Sequence, residues 1–310
     1  MSQNICYNTG KTKGTEVVFE KYEPKEVTSN VPTVILAGMN VPLIRQRNGY
    51  KTTDDLIRSN YFGAVPAELA VETGAPVFVV AQPGMSGKPH KSRLYSPETQ
   101  QKQFETALEL AEDRNLYMIL HSLSTTTYPQ LISHNIETNP SKIVGTTMSS
   151  TVTTTRDALE GRNGWLALFN IAQYFDIPPV PLYPLHDQKW HDGNEDETRN
   201  PNWKADRWIN PKSAKWLLGL DTKRSITDLK WKYCRDIFSN LPTLFVIPDA
   251  DKVFDPEKQL RIADLLFKEE KYVAENAGHR WFTSDRWRET TARIIEHRDK
   301  SVQRLERLVE

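Results

Sequence analysis

Three side chains that could act together in nucleophilic catalysis each follow an apolar stretch or lie in a short loop. Ser122 comes after the run Leu116–Leu120, and Asp251 follows the run Pro242–Ile247. His279 lies further along the chain, directly after a glycine. A serine hydroxyl is a weak nucleophile, so it needs a histidine to take its proton and an acid to orient that histidine. The chain order serine, aspartate, histidine therefore indicates a triad of Ser122, Asp251 and His279.

Ser122 lies where a predicted strand turns sharply into a predicted helix. The apolar run stops at His121, and two serines and three threonines follow. Such a turn exposes the serine and directs the backbone N–H of the next residue, here Leu123, toward a developing oxyanion. A second register has Ser124 as the nucleophile, because the residue two positions before it is small. We prefer Ser122, since the apolar strand ends closest to it.

The sequence around Ser122 resembles the nucleophile motif of the α/β-hydrolase superfamily. His121-Ser122-Leu123-Ser124 is similar to the family's G-H-S-L-G, with Leu120 and Ser124 in the places of the two glycines. The resemblance implies an α/β-hydrolase fold and an acyl-enzyme mechanism that needs no cofactor. The same order of the three triad residues along the chain is typical of that fold.

Two later stretches are similar to loops of the same family. Pro242–Phe254 resembles the segment that follows the penultimate core strand, and the match places Asp251, not Asp249, as the triad acid. Asn276–Phe282 resembles the A-G-H loop after the last strand. The resemblance therefore implies that His279 is the general base.

Two earlier loops resemble family features that support the reaction. Val34–Asn40 resembles the loop that supplies the second oxyanion donor, which would be the backbone N–H of Met39. Val79–Gly87 is similar to the D-x-P-G-x-G turn, with Ala81 in the place of the aspartate. The implied oxyanion donors are thus the N–H groups of Met39 and Leu123.

Short β-branched runs alternate with stretches of helical periodicity along much of the chain. This alternation predicts a mostly parallel central sheet with helices on both faces, whose site lies at the carboxyl ends of the strands. The predicted strands are Glu16–Tyr22, Thr33–Leu36, Pro76–Val80, Leu116–Leu120, Ile143–Met148, Pro242–Ile247 and Lys271–Ala274, and helices are predicted at Ser96–Asp113, Glu257–Phe267 and Glu289–Glu310.

Residues 152–238 interrupt this alternation. They contain six of the eight tryptophans and a proline cluster that precedes a charged segment, and no strand-like run is evident. We interpret them as an inserted, mainly helical cap that divides the hydrolase core into residues 1–151 and 239–310. A separate aromatic-rich structural subdomain is the alternative. Trp165 and Trp216 each precede aliphatic residues in a helical pattern, and we expect them to contact an apolar or aromatic substrate.

The composition argues against several other classes of protein. The 310 residues carry 40 basic and 40 acidic side chains, so no net field recruits nucleic acid or an anionic membrane. No apolar run reaches the roughly 18–20 residues that cross a bilayer, and Met1–Cys6 lacks the pattern of a secretory signal. The two cysteines and the segment His186–Glu197 fit no metal-ligand spacing. We therefore expect a cytoplasmic protein without a metal or cofactor.

The sequence thus predicts a serine hydrolase that cleaves a carboxylic ester or lactone of a small molecule. A C–C bond hydrolase or a cofactor-free haloperoxidase would use the same triad. A non-catalytic ligand-binding protein on this scaffold is the alternative from a different class, because the turn at Ser122 lacks the family's glycines. The apolar stripe of Glu289–Glu310 is expected to pack on the protein's own body, or else to pair two copies as a homodimer.

Overall fold

The structure is a computed structural model, and it describes residues 5–11, 17–36, 38, 61–81, 97–122, 124–139, 142–151, 167, 171, 180–181, 208–209, 241–266 and 270–309. Its strands are β1 (Ile5–Lys11), β2 (Val18–Pro24), β3 (Thr33–Leu36), β4 (Val77–Val80), β5 (Leu116–His121), β6 (Ile143–Ser149), β7 (Val180–Pro181), β8 (Trp208–Ile209), β9 (Thr243–Pro248) and β10 (Lys271–Ala274). Its helices are α1 (Val65–Thr73), α2 (Pro97–Leu110), α3 (Ser124–Thr138), α4 (Pro256–Leu266) and α5 (Trp287–Val309), with a 3-10 helix at Trp281–Thr283.

Eight of these strands form one sheet in the order β1-β2-β4-β3-β5-β6-β9-β10. β2 runs antiparallel to both of its neighbours, and the pairs from β4 to β10 are parallel. The carboxyl ends of parallel strands meet at one edge of a sheet. Ser122 follows β5, Asp251 follows β9 and His279 follows β10, so the three loops lie at the same edge.

The central strands are buried on both faces, and their side chains alternate between two apolar cores. In β5, Tyr117 and Ile119 pack on the face that α1 and α5 cover, whereas Leu116, Met118 and Leu120 pack on the opposite face with α2, α3 and α4. A strand covered on both sides needs an apolar side chain at every position, which explains the continuous apolar runs in the sequence. Leu120, in the place of a family glycine, is thus a core residue.

Helix α5 packs its apolar stripe on the first of these cores. Ile294 is fully buried, and Ile295, Val302 and Leu305 pack against the same core. The stripe therefore docks on the protein's own body, and pairing of two copies through it stays a prediction. Within the described part of the chain, no helix combines the length and the apolar character that crossing a membrane requires.

The predicted fold class is confirmed by the mostly parallel sheet and the helices on its two faces. The strands at Thr33–Leu36 and Lys271–Ala274 have the predicted bounds. β1 was not predicted, because an edge strand that pairs with β2 alone needs few apolar positions. Within residues 152–238 the structure describes β7 and β8, which form an antiparallel pair; two-residue strands are too short to leave a pattern in the sequence. Most of the predicted cap lies outside the described residues, and its boundaries stay a prediction.

Candidate active site

Ser122 occupies a strained turn between β5 and α3. Its backbone φ is +57°, a left-handed conformation that residues other than glycine rarely adopt. The turn is held by the Ser122 N–H, which donates to the Ser149 carbonyl (3.0 Å), and by the Ser122 carbonyl, which accepts the Thr125 N–H (2.9 Å). The sequence predicts an exposed serine, but 9% of Ser122 is accessible. The hydroxyl therefore lies in a largely enclosed setting.

A chain of hydrogen bonds links the serine, the histidine and the aspartate. His279 Nε2 lies 3.0 Å from Ser122 Oγ, and His279 Nδ1 lies 3.1 Å from Asp251 Oδ2. All three residues are buried. An ionised carboxylate can only accept a hydrogen bond, so it favours the tautomer with the proton on Nδ1 and leaves Nε2 to accept the proton of the serine. The structure thus brings the three side chains together in the geometry of a nucleophile, its base and an orienting acid.

The carboxylate of Asp251 is held by four N–H donors. Oδ1 accepts the backbone N–H groups of Val253 (2.8 Å) and Phe254 (3.0 Å). Oδ2 accepts Gln259 Nε2–H (3.0 Å) in addition to His279. The side chain has no accessible surface, and a buried charge is tolerable when hydrogen bonds replace its lost hydration. The four donors therefore fix the direction in which the acid faces the histidine.

Asp249, the neighbouring acid that the family resemblance does not place in the triad, has a different contact. Its Oδ1 accepts the backbone N–H of Ala277 (3.3 Å), and the Ala250 N–H donates to the Ala277 carbonyl (3.0 Å). Asp249 is exposed. It therefore joins the loop after β9 to the loop that carries His279, and it does not contact the imidazole.

The hydroxyl of Ser124, the alternative nucleophile, is engaged within the turn itself. Ser124 Oγ donates to the His121 carbonyl (2.9 Å) and accepts the His121 N–H (2.7 Å). The residue is fully buried at the start of α3. The hydrogen bonds described for the His279 ring go to Ser122 and Asp251 instead. The geometry favours the register in which Ser122 faces the base.

His121 is a buried, neutral histidine beside His279. The ring centroids of His121 and His279 are 5.2 Å apart, and His121 Nδ1 lies 3.0 Å from Ser149 Oγ. Burial lowers the pKa of His121 well below its ordinary value, and the nearby His279 and Arg280 lower that pKa further. His121 therefore does not bring a second positive charge beside the imidazolium that His279 would form on accepting a proton.

Aromatic side chains surround His279 and His121. Phe254 lies edge-on to the His279 ring with 5.3 Å between centroids, and Phe282 lies edge-on to His121 at 5.1 Å. The guanidinium of Arg280 stacks 4.6 Å from the centroid of the Tyr61 ring. Aromatic rings beside these buried imidazoles lower the local polarity, which strengthens the hydrogen bonds between the ring nitrogens and their partners.

The carboxyl end of β6 bonds to the serine loop, to the histidine loop and to Gln259 of α4. β6 lies between β5 and β9 in the sheet, so its end is flanked by the serine loop and the acid loop. The contacts join the Ser149 carbonyl to the Ser122 N–H (3.0 Å), Ser150 Oγ to the His279 carbonyl (2.8 Å) and the Thr151 N–H to Gln259 Oε1 (3.0 Å).

Two of these side chains, Gln259 and Ser150, were not predicted from the sequence. Gln259 lies one helical turn before the buried Ala263 of α4. A glutamine on the buried face of a helix needs partners for its amide, and its position soon after Asp251 is a signal that could have found it. Ser150 offers no such signal, because serines commonly follow strands.

Several predicted site residues lie outside the described residues. They are the oxyanion donors Met39 and Leu123 and the substrate contacts Trp165 and Trp216, and their roles stay predictions. Gly38, directly before Met39, is described and buried. Among the residues that the structure places, no group of three or more histidine, cysteine, aspartate or glutamate side chains could hold a metal ion.

Solved structures of lipases and esterases resemble this chain over most of its length. A soluble variant of the monoglyceride lipase from Saccharomyces cerevisiae, in complex with a substrate analogue, has a TM-score of 0.66 and 14% identity, and the match covers 96% of each chain. The monoacylglycerol lipase of Paleococcus ferrophilus has a TM-score of 0.60 and 18% identity over 90% of this chain and 97% of that one. Naproxen esterase from Bacillus subtilis has a TM-score of 0.57 and 13% identity over 94% and 90%.

Comparison by sequence gives no such relation, since no protein-family model and no curated protein matches the chain. Identities this low carry information on the fold alone. The order of the strands in the sheet, with β2 antiparallel to its two neighbours, agrees with the overlap with these lipases and esterases. The chain has the α/β-hydrolase fold.

Proposed function

We propose that the protein is a serine hydrolase that cleaves carboxylic esters of small molecules, with Ser122 as the nucleophile, His279 as the base and Asp251 as the orienting acid. The observation that carries this proposal is the continuous hydrogen-bond chain from Ser122 Oγ through both ring nitrogens of His279 to Asp251 Oδ2. A serine on a strained turn, bonded to a buried histidine that a buried acid orients, has the arrangement of an activated nucleophile.

In the first half of the reaction, Ser122 Oγ attacks the carbonyl carbon of the ester while its proton passes to His279 Nε2. The carbonyl oxygen becomes an oxyanion, and we propose the backbone N–H groups of Met39 and Leu123 as its donors. When the tetrahedral intermediate collapses, the ester C–O bond breaks and the alcohol leaves with the proton from Nε2. Ser122 then carries the acyl group.

In the second half, His279 Nε2 takes a proton from water as the water oxygen attacks the acyl carbon. The second intermediate releases the carboxylic acid, and the proton returns from Nε2 to Ser122 Oγ. Asp251 remains ionised through both halves and stabilises the imidazolium through Nδ1–H. The burial of His121, which lowers its pKa, supports this step because it keeps a competing charge away from His279.

The similar structures suggest which esters to test first. Two of them are a monoglyceride lipase and a monoacylglycerol lipase, and a third is an esterase. We therefore propose monoacylglycerols and simple carboxylic esters with an apolar acyl group as the substrate class. The aromatic rings of the site, Phe254 beside His279 and Phe282 beside His121, suit an apolar group. A lactone would react by the same steps, with its alcohol still tethered to the acyl group.

Labelling with a fluorophosphonate tests the nucleophile directly. We expect the probe to modify the wild-type protein at Ser122, as located by mass spectrometry of the labelled peptide. Ser122→Ala should lose the label, whereas Ser124→Ala should retain it. Label on Ser124 would show that the register is wrong.

A substrate panel tests the reaction. It contains p-nitrophenyl esters of increasing acyl length, monoacylglycerols and lactones, each measured with the wild-type protein and with Ser122→Ala. Hydrolysis of esters that Ser122→Ala abolishes supports the proposal. A folded wild-type protein that takes no label and hydrolyses no member of the panel would instead favour the non-catalytic binding protein.

A further inference from the structure

We propose that Gln259 is a positioning residue for the pair Asp251–His279, an inference that rests on the proposed serine hydrolase function. Gln259 is fully buried on α4 and bonds to the acid through its side-chain amide. It does not touch Ser122 Oγ or the place of the reacting carbonyl through any described contact. Its effect on the reaction would therefore pass through Asp251.

Both the nitrogen and the oxygen of the Gln259 side-chain amide form hydrogen bonds. Nε2 donates to Asp251 Oδ2 (3.0 Å) and to the Phe254 carbonyl (2.8 Å), and Oε1 accepts the Thr151 N–H (3.0 Å). Because a backbone N–H can only donate, the oxygen must face Thr151 and the amino group must face the acid. The orientation of the amide is thereby determined by its partners.

The carboxylate oxygen that Gln259 bonds is the one that faces the histidine. Oδ2 accepts both His279 Nδ1–H and Gln259 Nε2–H, whereas Oδ1 accepts two backbone N–H groups of its own loop. The loop alone therefore fixes one oxygen, and Gln259 fixes the direction of the other. A donor on Oδ2 also draws negative charge away from it, so it moderates how strongly the acid stabilises an imidazolium.

The position of Gln259 in α4 gives a second reason to assign it this role. Its neighbours on the inner side of the helix are apolar, since Ala263 is fully buried and Leu260 packs against the same core. Burial of a primary amide among such residues costs free energy unless its hydrogen bonds are made. An apolar side chain would fill this place without that cost. The bonds to the acid and to the end of β6 explain why an amide lies there.

Two substitutions separate positioning from packing. Gln259→Met keeps the length of the side chain and removes the donor and the acceptor, and Gln259→Leu removes the same two groups with a shorter, branched side chain. For Gln259→Met we expect kcat to fall about tenfold to a hundredfold with KM little changed, the loss that accompanies removal of a hydrogen bond to a charged group. Gln259→Leu protects the test against a Met variant that fails to fold.

A packing role would leave the pH dependence of kcat/KM unchanged, so this dependence is the measurement that tests positioning. With fewer donors on Oδ2 the imidazolium of His279 becomes more stable. The acid limb should therefore move to higher pH in both Gln259→Met and Gln259→Leu. The other titratable groups described around the pair are His121, Asp249 and Arg280, and both variants leave them in place.

Gln103→Met is the matched control. Gln103 is also a fully buried glutamine, on α2, and the hydrogen bond described for its Nε2 goes to the Val80 carbonyl (2.6 Å), outside the pair Asp251–His279. We expect this variant to lose stability without a shift of the acid limb. If the acid limb of a folded Gln259→Met or Gln259→Leu protein does not move to higher pH, Gln259 is a packing residue and the inference is overturned.

Histidine NMR keeps this outcome distinct from failure of the proposed function. The ring of His279 can be titrated in the protein with labelled histidine and no substrate, and its signal can be assigned with His279→Gln. A wild-type protein without hydrolase activity would refute the proposed function, whereas comparison of the His279 titration in the wild type and the two variants would still decide the role of Gln259. A His279 titration that stays at its wild-type pH in both variants contradicts that role.

Discussion

Ser150 Oγ donates a 2.8 Å hydrogen bond to the backbone carbonyl of His279. Ser150 is fully buried and has a φ of +49°, a conformation that costs about 1–3 kcal/mol in a residue other than glycine. Ser122 has the same type of backbone at the end of the adjacent strand. Two strained serines thus contact one histidine, Ser122 through the ring and Ser150 through the backbone.

The bond between Ser150 and His279 predicts a small but measurable effect on the rate. Ser150→Ala removes the hydroxyl and keeps the strained backbone, so we expect kcat/KM to fall about twofold to tenfold, the equivalent of one neutral hydrogen bond. Ser150→Gly also removes the hydroxyl but relieves the strain. It should therefore be about 1 kcal/mol more stable than Ser150→Ala in urea unfolding, with a similar loss of rate. Wild-type turnover in Ser150→Ala would show that this bond does not position the histidine.

Ser122 and Ser124 should respond to alanine substitution in opposite ways. Ser122→Ala should lower ester hydrolysis by at least about a thousandfold, because the members of a triad act as a unit, and should leave the melting temperature close to that of the wild type. Ser124→Ala removes the two hydrogen bonds to His121. It should lower the free energy of unfolding by about 1–2 kcal/mol and keep the fluorophosphonate label. A stable Ser124→Ala protein without activity would reverse the assignment.

Asp251→Asn should be both inactive and less stable. The two oxygens of Asp251 face N–H donors on both sides, so an asparagine in either orientation sets its amino group against another donor. We expect kcat/KM to fall by about a thousandfold to ten-thousandfold, because the imidazole is no longer held in the required tautomer. Unpaired buried donors should also cost about 1–3 kcal/mol of stability. Measurement of turnover and of urea unfolding on the same preparation checks both effects, and a change in one alone would contradict the four-donor arrangement.

The fold was predictable because strands that are buried on both faces of a sheet have continuous apolar sequences. Thr33–Leu36 is apolar or β-branched throughout, as a strand covered on both faces must be, and its bounds were predicted correctly. Parallel strands also bring their carboxyl ends together, so the ends of β5, β9 and β10 could be assigned to one edge from chain order alone. The edge strand β1 lacks such a pattern and was missed.

The details of the site depend on contacts that a linear pattern does not carry. The choice between Ser122 and Ser124 depends on the backbone of a turn without glycines, where the positive φ of Ser122 has no signature in residue type. Gln259 and Ser150 each form one hydrogen bond that joins segments more than a hundred residues apart. These bonds link Gln259 to Thr151 and Ser150 to His279. They follow from how α4 and the end of β6 pack together, and no local pattern predicts that.

His121 connects the site to the acid stability of the fold. Burial lowers its pKa well below the ordinary value, with further lowering by His279 and Arg280, whereas in the unfolded chain a histidine titrates near about 6.5. Below that pH the unfolded chain takes up a proton that the folded protein resists. The contribution of His121 to stability is therefore fully present above about pH 6.5 and is lost progressively as the pH falls below it.

Replacement of His121 by a ring that cannot titrate should flatten this pH dependence. His121→Phe keeps an aromatic ring beside Phe282 and removes the proton site, so its free energy of unfolding should decrease less than that of the wild type between about pH 7 and pH 5. The variant also forfeits the 3.0 Å contact with Ser149 Oγ. Ser149→Ala is the matched control, since it loses the same contact and keeps the titrating ring, and it should retain the wild-type slope. Urea unfolding at several pH values measures all three proteins, and equal slopes in wild type and His121→Phe would show that His121 does not resist protonation in the folded state.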